Sequence, residues 1–345
     1  MKEYLFVFGR NPELSFLEVD AFLKARKITY EVRETGKEVA VIVMQEIKED
    51  LANILGGTVR IGEVIAKNTS ELESINFEFT DKIRININVY ANASSYLKVR
   101  SYFKEKCKEE SVKYVLTKNA PPSKLKRNHI EILIFKQYIA KTISLFDPLQ
   151  YKERDNRPYN DYLKNTSIRL ARILINLGGV EKGILLDPFC GTGVILQEAL
   201  LLGYNVLGID NNRESVLGTI KNIEWLKQKY NVEGSFQVLQ RDARNIPFQK
   251  CDLIVTEPYL GHYIRGTLTM KEAQERKKQL ERIYQDFFKN IKPCRIVFII
   301  PCFQTKKGKV KLTNVFVNCK VLEGPILYFS QKSKIIREIY VLEKK

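Results

Sequence analysis

A chain of 345 residues is long for a single hydrophobic core, so its length predicts two or three domains. No stretch approaches the ~18 apolar residues of a membrane-spanning helix, and the six cysteines include no Cys-x-x-Cys pair. These features argue against a membrane protein, a metal site and a disulfide framework, and we expect a cytoplasmic protein. The net charge of +17 favours a polyanionic partner.

The first 65 residues predict a small α/β layer with alternating strands and helices. We expect strands at 4–8 and 39–43 and helices at 16–26 and 47–55. Ser15 is the expected N-cap of the first helix, because Glu18 follows it at the spacing of a capping box. We therefore expect an N-terminal, ferredoxin-like domain at 1–65.

Residues 66–147 predict a second small α/β domain that carries a cluster of positive charge. The expected elements are a strand at 83–89, a basic helix at 95–109, a strand at 114–116 and a hairpin of 130–135 with 138–145. From Lys98 to Lys141 there are 12 Lys or Arg residues against 4 Asp or Glu, with tyrosines nearby. This clustering favours nucleic acid, and the alternative is a solvated surface in a lysine-rich proteome.

Residues 148–166 are polar and irregular, which is typical of a linker, although their Arg, Asp and Tyr content also suits the edge of an active site. A helix at 167–177 follows and ends at a pair of glycines. From residue 184 onward strands and helices alternate, which predicts a parallel sheet. The last two apolar runs have no helix between them, so they predict an antiparallel hairpin, as in a methyltransferase-type sheet.

The run Asp187-Pro188-Phe189-Cys190-Gly191-Thr192-Gly193 lies between a predicted strand and a predicted helix. Its glycines predict a tight turn with free amide N–H groups. Asp210 and Asp242 follow the next two strands, and the carboxyl ends of parallel strands meet at one edge of a sheet. A nucleoside explains this pattern if Asp210 holds ribose hydroxyls and Asp242 with Ala243 reads the adenine edge. The alternative is that each acid caps a turn.

The fourth strand of this region ends in Thr256-Glu257-Pro258-Tyr259-Leu260-Gly261. An exocyclic base amine is a poor nucleophile because its lone pair is delocalised into the ring. The carboxylate of Glu257 and the carbonyl of Pro258 would accept its N–H bonds and favour the pyramidal, reactive geometry. Tyr259 would stack on a flipped base. The alternative for this peptide is an ordinary turn.

These motifs together resemble class I S-adenosylmethionine-dependent amino-methyltransferases. With the upstream run from Tyr151 to Pro158 and the helix at 167–177, the chain is similar to THUMP-domain tRNA guanosine N2-methyltransferases, which act on guanosine 10. The likeness is specific over about 150–262 and looser over 66–147. It implies a class I, Rossmann-like sheet with a C-terminal antiparallel hairpin in a domain at 167–345, after an α+β RNA-binding region.

The resemblance also implies the cofactor S-adenosylmethionine, a tRNA partner and the residues that hold them. The expected cofactor-binding residues are Asp187, Pro188, Phe189, Gly191, Thr192, Gly193, Asp210, Asn211, Asp242 and Ala243. The expected catalytic residues are Glu257, Pro258 and Tyr259. The expected RNA-binding residues are Lys124, Lys126, Arg127 and Arg154.

One departure separates this chain from the family's usual Asp-Pro-Pro-Tyr-Gly, since it has Glu257-Pro258-Tyr259-Leu260-Gly261 at that place. The longer carboxylate moves the acceptor by about one C–C bond, which could alter acceptor geometry or the number of methyl groups transferred. Two alternatives stay open: a DNA amino-methyltransferase, and a non-catalytic RNA-binding protein with a decayed site. The intact glycine loop argues against decay, because only cofactor binding requires it.

Overall fold

The computed structural model describes residues 1–46, 49–91, 94–124, 129–160, 166–246, 250–264, 266–329 and 333–345. The chain forms two compact units, one of residues 1–16 and 26–152 and the other of residues 17–25 and 153–345. Each unit contains its own eight-stranded sheet. None of the helices in these ranges is long and apolar enough to cross a membrane.

The first unit contains β1 (Lys2–Phe8), the start of α1 (Pro12–Ala25), β2 (Tyr30–Thr35), β3 (Val39–Met44), α2 (Leu51–Ile54), β4 (Thr58–Ala66), β5 (Lys82–Ala91), α3 (Ser94–Glu109), β6 (Lys113–Lys118), β7 (His129–Phe135) and β8 (Tyr138–Leu145). The strand order is β2-β3-β1-β4-β8-β7-β5-β6. The β7–β8 hairpin confirms the prediction, whereas the sequence did not predict β2 and β4. Because β4 pairs with both β1 and β8, a single sheet contains strands from both sides of the predicted domain boundary at residue 65. A division of residues 1–147 into two domains therefore stays a proposal.

Helix α1 begins four residues before its predicted start, which corrects the expected capping box. Pro12 is its first residue, a position where the missing N–H of proline costs nothing. Ser15 thus lies inside the helix, and its hydroxyl donates a 2.7 Å hydrogen bond to the carbonyl of Asn11. Glu18 is fully buried and accepts a 2.7 Å hydrogen bond from the amide of Asn176, so it belongs to the interior of the second unit.

A buried polar network in the first unit holds the loop after β6. Glu131 accepts hydrogen bonds from Arg60 at 2.9 Å and from Asn86 and Asn88 at 2.9 and 2.7 Å. Arg60 also donates to the carbonyl of Ala120 at 2.7 Å. Because all four polar side chains are buried, their mutual bonds are needed to offset the cost of desolvation. The network therefore fixes the base of the predicted basic loop.

The second unit contains the end of α1 and of α4 (Pro148–Asp155), then α5 (Ile168–Leu177), β9 (Ile184–Asp187), α6 (Val194–Leu201), β10 (Asn205–Asp210), α7 (Arg213–Tyr230), β11 (Phe236–Gln240), β12 (Leu253–Thr256), α8 (Met270–Asn290), β13 (Arg295–Thr305), β14 (Gly308–Lys311), β15 (Cys319–Tyr328) and β16 (Ile335–Lys344). Helix α4 forms where an irregular linker was expected. Strand β14, which pairs with β13, was not predicted.

The sheet of the second unit has the order β11-β10-β9-β12-β13-β16-β15. The first five strands are parallel, and β16 runs antiparallel to both β13 and β15. This topology confirms the predicted methyltransferase-type sheet with its C-terminal antiparallel hairpin. Two consequences matter for the site. The parallel strands end at one edge, and the first residues of β16 lie at that same edge because this strand is reversed.

Candidate active site

A cavity of about 280 Å³ opens where the parallel strands of the second sheet end. Its volume is close to the lower limit of small-molecule pockets. The loop after β9 and the first turns of α6 and α7 supply most of its lining. The lining residues are Tyr159, Thr166, Asp187, Phe189, Cys190, Gly191, Thr192, Val194, Ile195, Asn212, Glu214, Ser215 and Glu257.

The glycine loop is tied to its surroundings through backbone atoms. The N–H of Gly191 donates to Asp210 at 2.9 Å, and its carbonyl accepts from the hydroxyl of Thr219 at 2.7 Å. The carbonyl of Thr192 accepts a 2.9 Å bond from the buried amide of Asn222. Because three side chains hold successive peptide groups, the loop is preorganised around the cavity.

Glycine is required at two positions of this loop for different reasons. Gly191 has φ = +52° with open space where a Cβ would lie, so only the backbone conformation disfavours a side chain there. Gly193 has φ = +79°, and a Cβ would lie 2.6 Å from the methyl carbon of Thr219. The second glycine therefore lets α7 pack directly against the loop.

Asp187 is the most strongly perturbed acid of the cavity. Its carboxylate accepts a 2.7 Å bond from the hydroxyl of Thr256 and a 3.2 Å bond from the N–H of Phe189. Burial nevertheless raises the pKa of Asp187 to about 7, and the nearby charges of Asp210 and Glu257 act in the same direction. A buried acid with a raised pKa in a cleft is typical of a functional site.

Asp210 organises the loop in addition to its predicted role with ribose. One oxygen accepts from Gly191, and the other accepts a 2.9 Å bond from the N–H of Asn212, which caps α7. A carboxylate has about four lone-pair sites, so acceptor capacity remains for a ligand. The predicted neighbour Asn211 is exposed and does not line the cavity, whereas Asn212 does.

The structure does not bring Asp242 and Ala243 into the described lining of the cavity. Asp242 instead caps the short turn Ala243–Asn245 and forms a paired contact with the guanidinium of Arg244, at 3.0 and 2.6 Å. This Arg244 contact lowers the pKa of Asp242. The geometry favours the turn-capping interpretation that the sequence left open, and adenine recognition by Asp242 stays a proposal.

Two residues of the predicted linker, Tyr159 and Thr166, line the cavity, which supports its interpretation as an active-site edge. Tyr159 exchanges backbone hydrogen bonds of 2.8 Å with the side chain of Asn222 on α7. Its ring covers Gly218, where a Cβ would lie only 2.2 Å away. Sequence reasoning named neither Thr166 nor Asn222, since their partners are distant in the chain.

Glu257 is held from two sides at the end of β12. The hydroxyl of Thr166 donates a 2.7 Å bond to Oε2, and Nε of Arg337 donates a 2.5 Å bond to Oε1. The side chain of Glu257 is only 7% exposed, so its charge is largely removed from water. Sequence reasoning missed Arg337, which stands at the start of β16 and reaches this edge because that strand is antiparallel.

The rest of the fourth-strand motif exposes an aromatic ring two residues after Glu257. Pro258 is buried, while Tyr259 is 38% exposed and packs edge-to-face on His262 at 5.7 Å. The buried hydroxyl of Tyr284 on α8 donates a 2.6 Å bond to the carbonyl of Tyr259. This hydrogen bond ties the loop to α8, and the ring of Tyr259 remains exposed to solvent.

The predicted RNA-binding residues have different outcomes. Arg154 is buried and pairs with Glu198 at 2.9 Å, and Arg172 pairs with the other oxygen of Glu198 at 2.5 Å. This geometry corrects the prediction for Arg154, because a buried guanidinium held by a carboxylate cannot reach a phosphate. Lys124 is exposed, and Lys126 and Arg127 lie outside the described residues.

Cys190 is a cavity residue without nucleophilic character. Burial raises the pKa of its thiol well above the ordinary value. Across the described ranges, no group of three or more His, Cys, Asp or Glu side chains could hold a metal ion.

Comparison with known proteins identifies the family. A model described as an RMKL-like methyltransferase domain matches residues 154–308, and a model described as a DNA methylase matches residues 14–222, more than half of the chain. Because the second match covers more than half of the chain, the chain belongs to a methyltransferase family. The first match includes the glycine loop, Asp210 and the whole fourth-strand motif, whereas the second ends before that motif.

Curated relatives match this methyltransferase over part of their length. A tRNA (guanine(10)-N2)-dimethyltransferase of Methanothermobacter thermautotrophicus is 39% identical over 127 residues, which are 36% of this chain and 34% of that protein. One of Pyrococcus abyssi is 34% identical over 155 residues, 43% of this chain and 44% of that protein. The chain thus matches between about a third and just under half of these two relatives.

Among solved structures, TrmN of Thermus thermophilus is similar with a TM-score of 0.59 and 16% sequence identity. The match covers 99% of this chain and 100% of that one. At this identity the likeness shows the fold, and it confirms the class I methyltransferase architecture.

We propose S-adenosylmethionine as the cofactor of this methyltransferase domain. The cavity fits this group in its chemistry. A preorganised glycine loop exposes backbone toward the cavity, and acidic side chains from β9 and α7 line it, which suits a ligand with amine and hydroxyl donors. We propose that Asp187, the loop from Phe189 to Gly193, and Asp210 hold the cofactor.

Proposed function

We propose that this protein transfers a methyl group from S-adenosylmethionine to the exocyclic N2 amine of a guanosine in tRNA, at the site that corresponds to guanosine 10. The observation that carries the proposal is the place of Glu257, which lines the cavity beside the glycine loop and precedes an exposed tyrosine by two residues. The names of the curated relatives support tRNA and N2 of guanine as the substrate. Cytoplasmic location is part of the same proposal.

The chemistry follows from what the motif residues can accept. Bound S-adenosylmethionine would supply an electrophilic methyl group, whose bond to sulfur breaks as its bond to the amine nitrogen forms. Glu257 and the carbonyl of Pro258 would accept the two N–H bonds of the amine and concentrate its lone pair toward the methyl group. Glu257 then takes the proton that the methylated nitrogen releases. Tyr259 would stack on the base and keep it in place.

A DNA amino-methyltransferase is the second candidate, because a DNA methylase model matches residues 14–222. The fourth-strand motif itself does not distinguish adenine, cytosine and guanine, or RNA from DNA, because an amine and an aromatic ring face are common to all of these targets. The charge of the first unit suits either polymer. The relatives named as tRNA enzymes favour RNA.

The test is methylation in vitro with the full chain, a tRNA transcript and a duplex DNA of matched length. Nucleosides from the product are analysed by mass spectrometry. We expect N2-methylguanosine or N2,N2-dimethylguanosine from the tRNA, and loss of the product when guanosine 10 is replaced by adenosine. Product from DNA alone would overturn the proposal in favour of the second candidate. Absence of any product with intact cofactor binding would support a decayed site.

A further inference from the structure

We infer that Arg337 is a positioning residue that acts on the target amine through Glu257. This inference rests on the proposed function, since it assigns a role at the same site. Arg337 stands at the start of β16, two strands away from β12, and 80 residues separate it from Glu257. No motif at the fourth strand includes it.

Charge at the cavity edge explains why a cation is needed there. Asp187 and Asp210 are the last residues of β9 and β10, and Glu257 follows β12. The charges of Asp210 and Glu257 help to raise the pKa of Asp187. Glu257 is 7% exposed, and a carboxylate so removed from water is costly without a partner. Arg337, 30% exposed, supplies that partner through a 2.5 Å charge-assisted bond.

The two contacts of Glu257 give its two carboxylate oxygens different partners. Oε1 is bound by Arg337, which is absent from the described lining of the cavity, and Oε2 is bound by Thr166, which belongs to it. Arg337 therefore holds the carboxylate from outside the cavity, and Oε2 is the oxygen available to a ligand inside it. Each carboxylate oxygen has two lone-pair sites, so Oε2 can accept an amine N–H beside the Thr166 hydroxyl.

This arrangement gives a physical role to the glutamate that replaces the family's usual aspartate. The longer side chain flexes about one more bond, and its carboxylate has more orientations to lose on reaching a productive geometry. A guanidinium and a hydroxyl at fixed places remove that freedom before the substrate binds. Arg337 and Thr166 thus compensate for the added flexibility of the extra methylene, so the acceptor carboxylate is already oriented when the amine binds.

The test is single-turnover methylation with saturating cofactor and tRNA, using Arg337→Gln and Arg337→Lys. We expect Arg337→Gln to lower the rate by roughly 10- to 100-fold, the value of one charge-assisted hydrogen bond, with dissociation constants of cofactor and tRNA within about twofold of wild type. Arg337→Lys keeps the charge but not the rigid fork, and should recover part of the rate. Lys311→Gln is the control, because it breaks a β14–β16 ion pair with Glu338 that does not contact Glu257.

A double-mutant cycle decides whether Arg337 acts through Glu257. In a Glu257→Gln background, we expect Arg337→Gln to change the rate by less than about twofold, since the acceptor it positions is gone. A full effect in that background would overturn the inference, as would an unchanged rate in the single variant. A faster Arg337→Gln enzyme would also overturn it, because the pair would then be inhibitory. Methylation by the wild type tests the proposed function separately.

Discussion

The carboxylate of Asp210 accepts a 2.9 Å hydrogen bond from the backbone N–H of Gly191, so the end of one strand fixes the turn after its neighbour. Its other oxygen binds the N–H of Asn212 at the start of α7. Any ligand contact by Asp210 is therefore made by a side chain that already shapes the cavity. Removal of this carboxylate should affect the ligand both directly and through the loop.

We expect Asp210→Ala to weaken S-adenosylmethionine binding by about 1.5–3 kcal/mol, the value of a hydrogen bond to a charged group. Calorimetry with the folded variant measures the change. Asp242→Ala is the matched control, because Asp242 caps a turn and is paired with Arg244, whereas Asp210 binds the glycine loop. Equal losses of affinity in the two variants would indicate that Asp242 also contacts the cofactor.

Glu257→Gln should retain binding of cofactor and tRNA and lose turnover. The acceptor contact strengthens as the nitrogen becomes pyramidal, so its loss should lower the methylation rate by about 10²–10³-fold. Single-turnover kinetics separates this step from binding. Thr256→Val serves as the comparison, since it alters the neighbouring Asp187 contact and leaves the carboxylate of Glu257 in place. A wild-type rate for Glu257→Gln would make this carboxylate structural.

The raised pKa of Asp187 predicts a pH-dependent stability of the protein without ligand. Between about pH 4 and 7 the folded chain keeps a proton on Asp187 that the unfolded chain has released, so the free energy of unfolding falls as the pH rises. Asp187→Asn carries no such charge. We expect it to match wild type near pH 4 and to be more stable at pH 8, by at most about 4 kcal/mol.

Urea unfolding at pH 4, 6 and 8 measures this difference. Glu233→Gln, at an exposed carboxylate away from the cavity, should show no comparable pH trend. A stability difference between Asp187→Asn and wild type that stays constant over this range would show that the charge of Asp187 carries no folding cost.

Glu198→Ala should destabilise the second unit severely, because it leaves the buried guanidinium groups of Arg154 and Arg172 without their shared carboxylate. Breaking a buried ion pair typically costs about 3–5 kcal/mol. Urea unfolding gives the value, and Glu153→Gln, which removes an exposed pair with Lys229, should lie within error of wild type. A small decrease in stability for Glu198→Ala would show that water reaches this triad.

RNA binding should depend on the basic cluster of Lys124, Lys126 and Arg127, which the sequence predicts to form a loop. Replacement of Lys124, Lys126 and Arg127 by Ala should reduce the log–log salt slope of tRNA affinity by roughly 0.7–0.9 for each phosphate that is no longer neutralised. Filter binding at several salt concentrations measures the slope. The control removes three lysines that are already paired with acids elsewhere, namely Lys2, Lys24 and Lys289. Equal slopes for the two triple variants would place the RNA site elsewhere.

Local patterns predicted the parts of this protein that depend on short stretches of chain. The apolar run before Asp187 and the glycines after it indicated a strand, a turn and a helix, and the structure has all three. The final hairpin was predicted because two apolar runs had no room for a crossover helix between them. The start of α1 was misplaced, since Ser15 with Glu18 imitates a capping box at a position where proline had already begun the helix.

The sequence by itself determined the sheet type, the glycine loop and the position of the fourth-strand motif, because strand periodicity and turn chemistry depend on consecutive residues. The tertiary structure alone decided which side chains surround Glu257. Thr166 and Arg337 reach it across 91 and 80 residues, and their contacts depend on the reversed direction of β16 and on the path of the chain before α5. It likewise decided that Arg154 is buried, since an arginine's partner is set by packing and not by its neighbours in the chain.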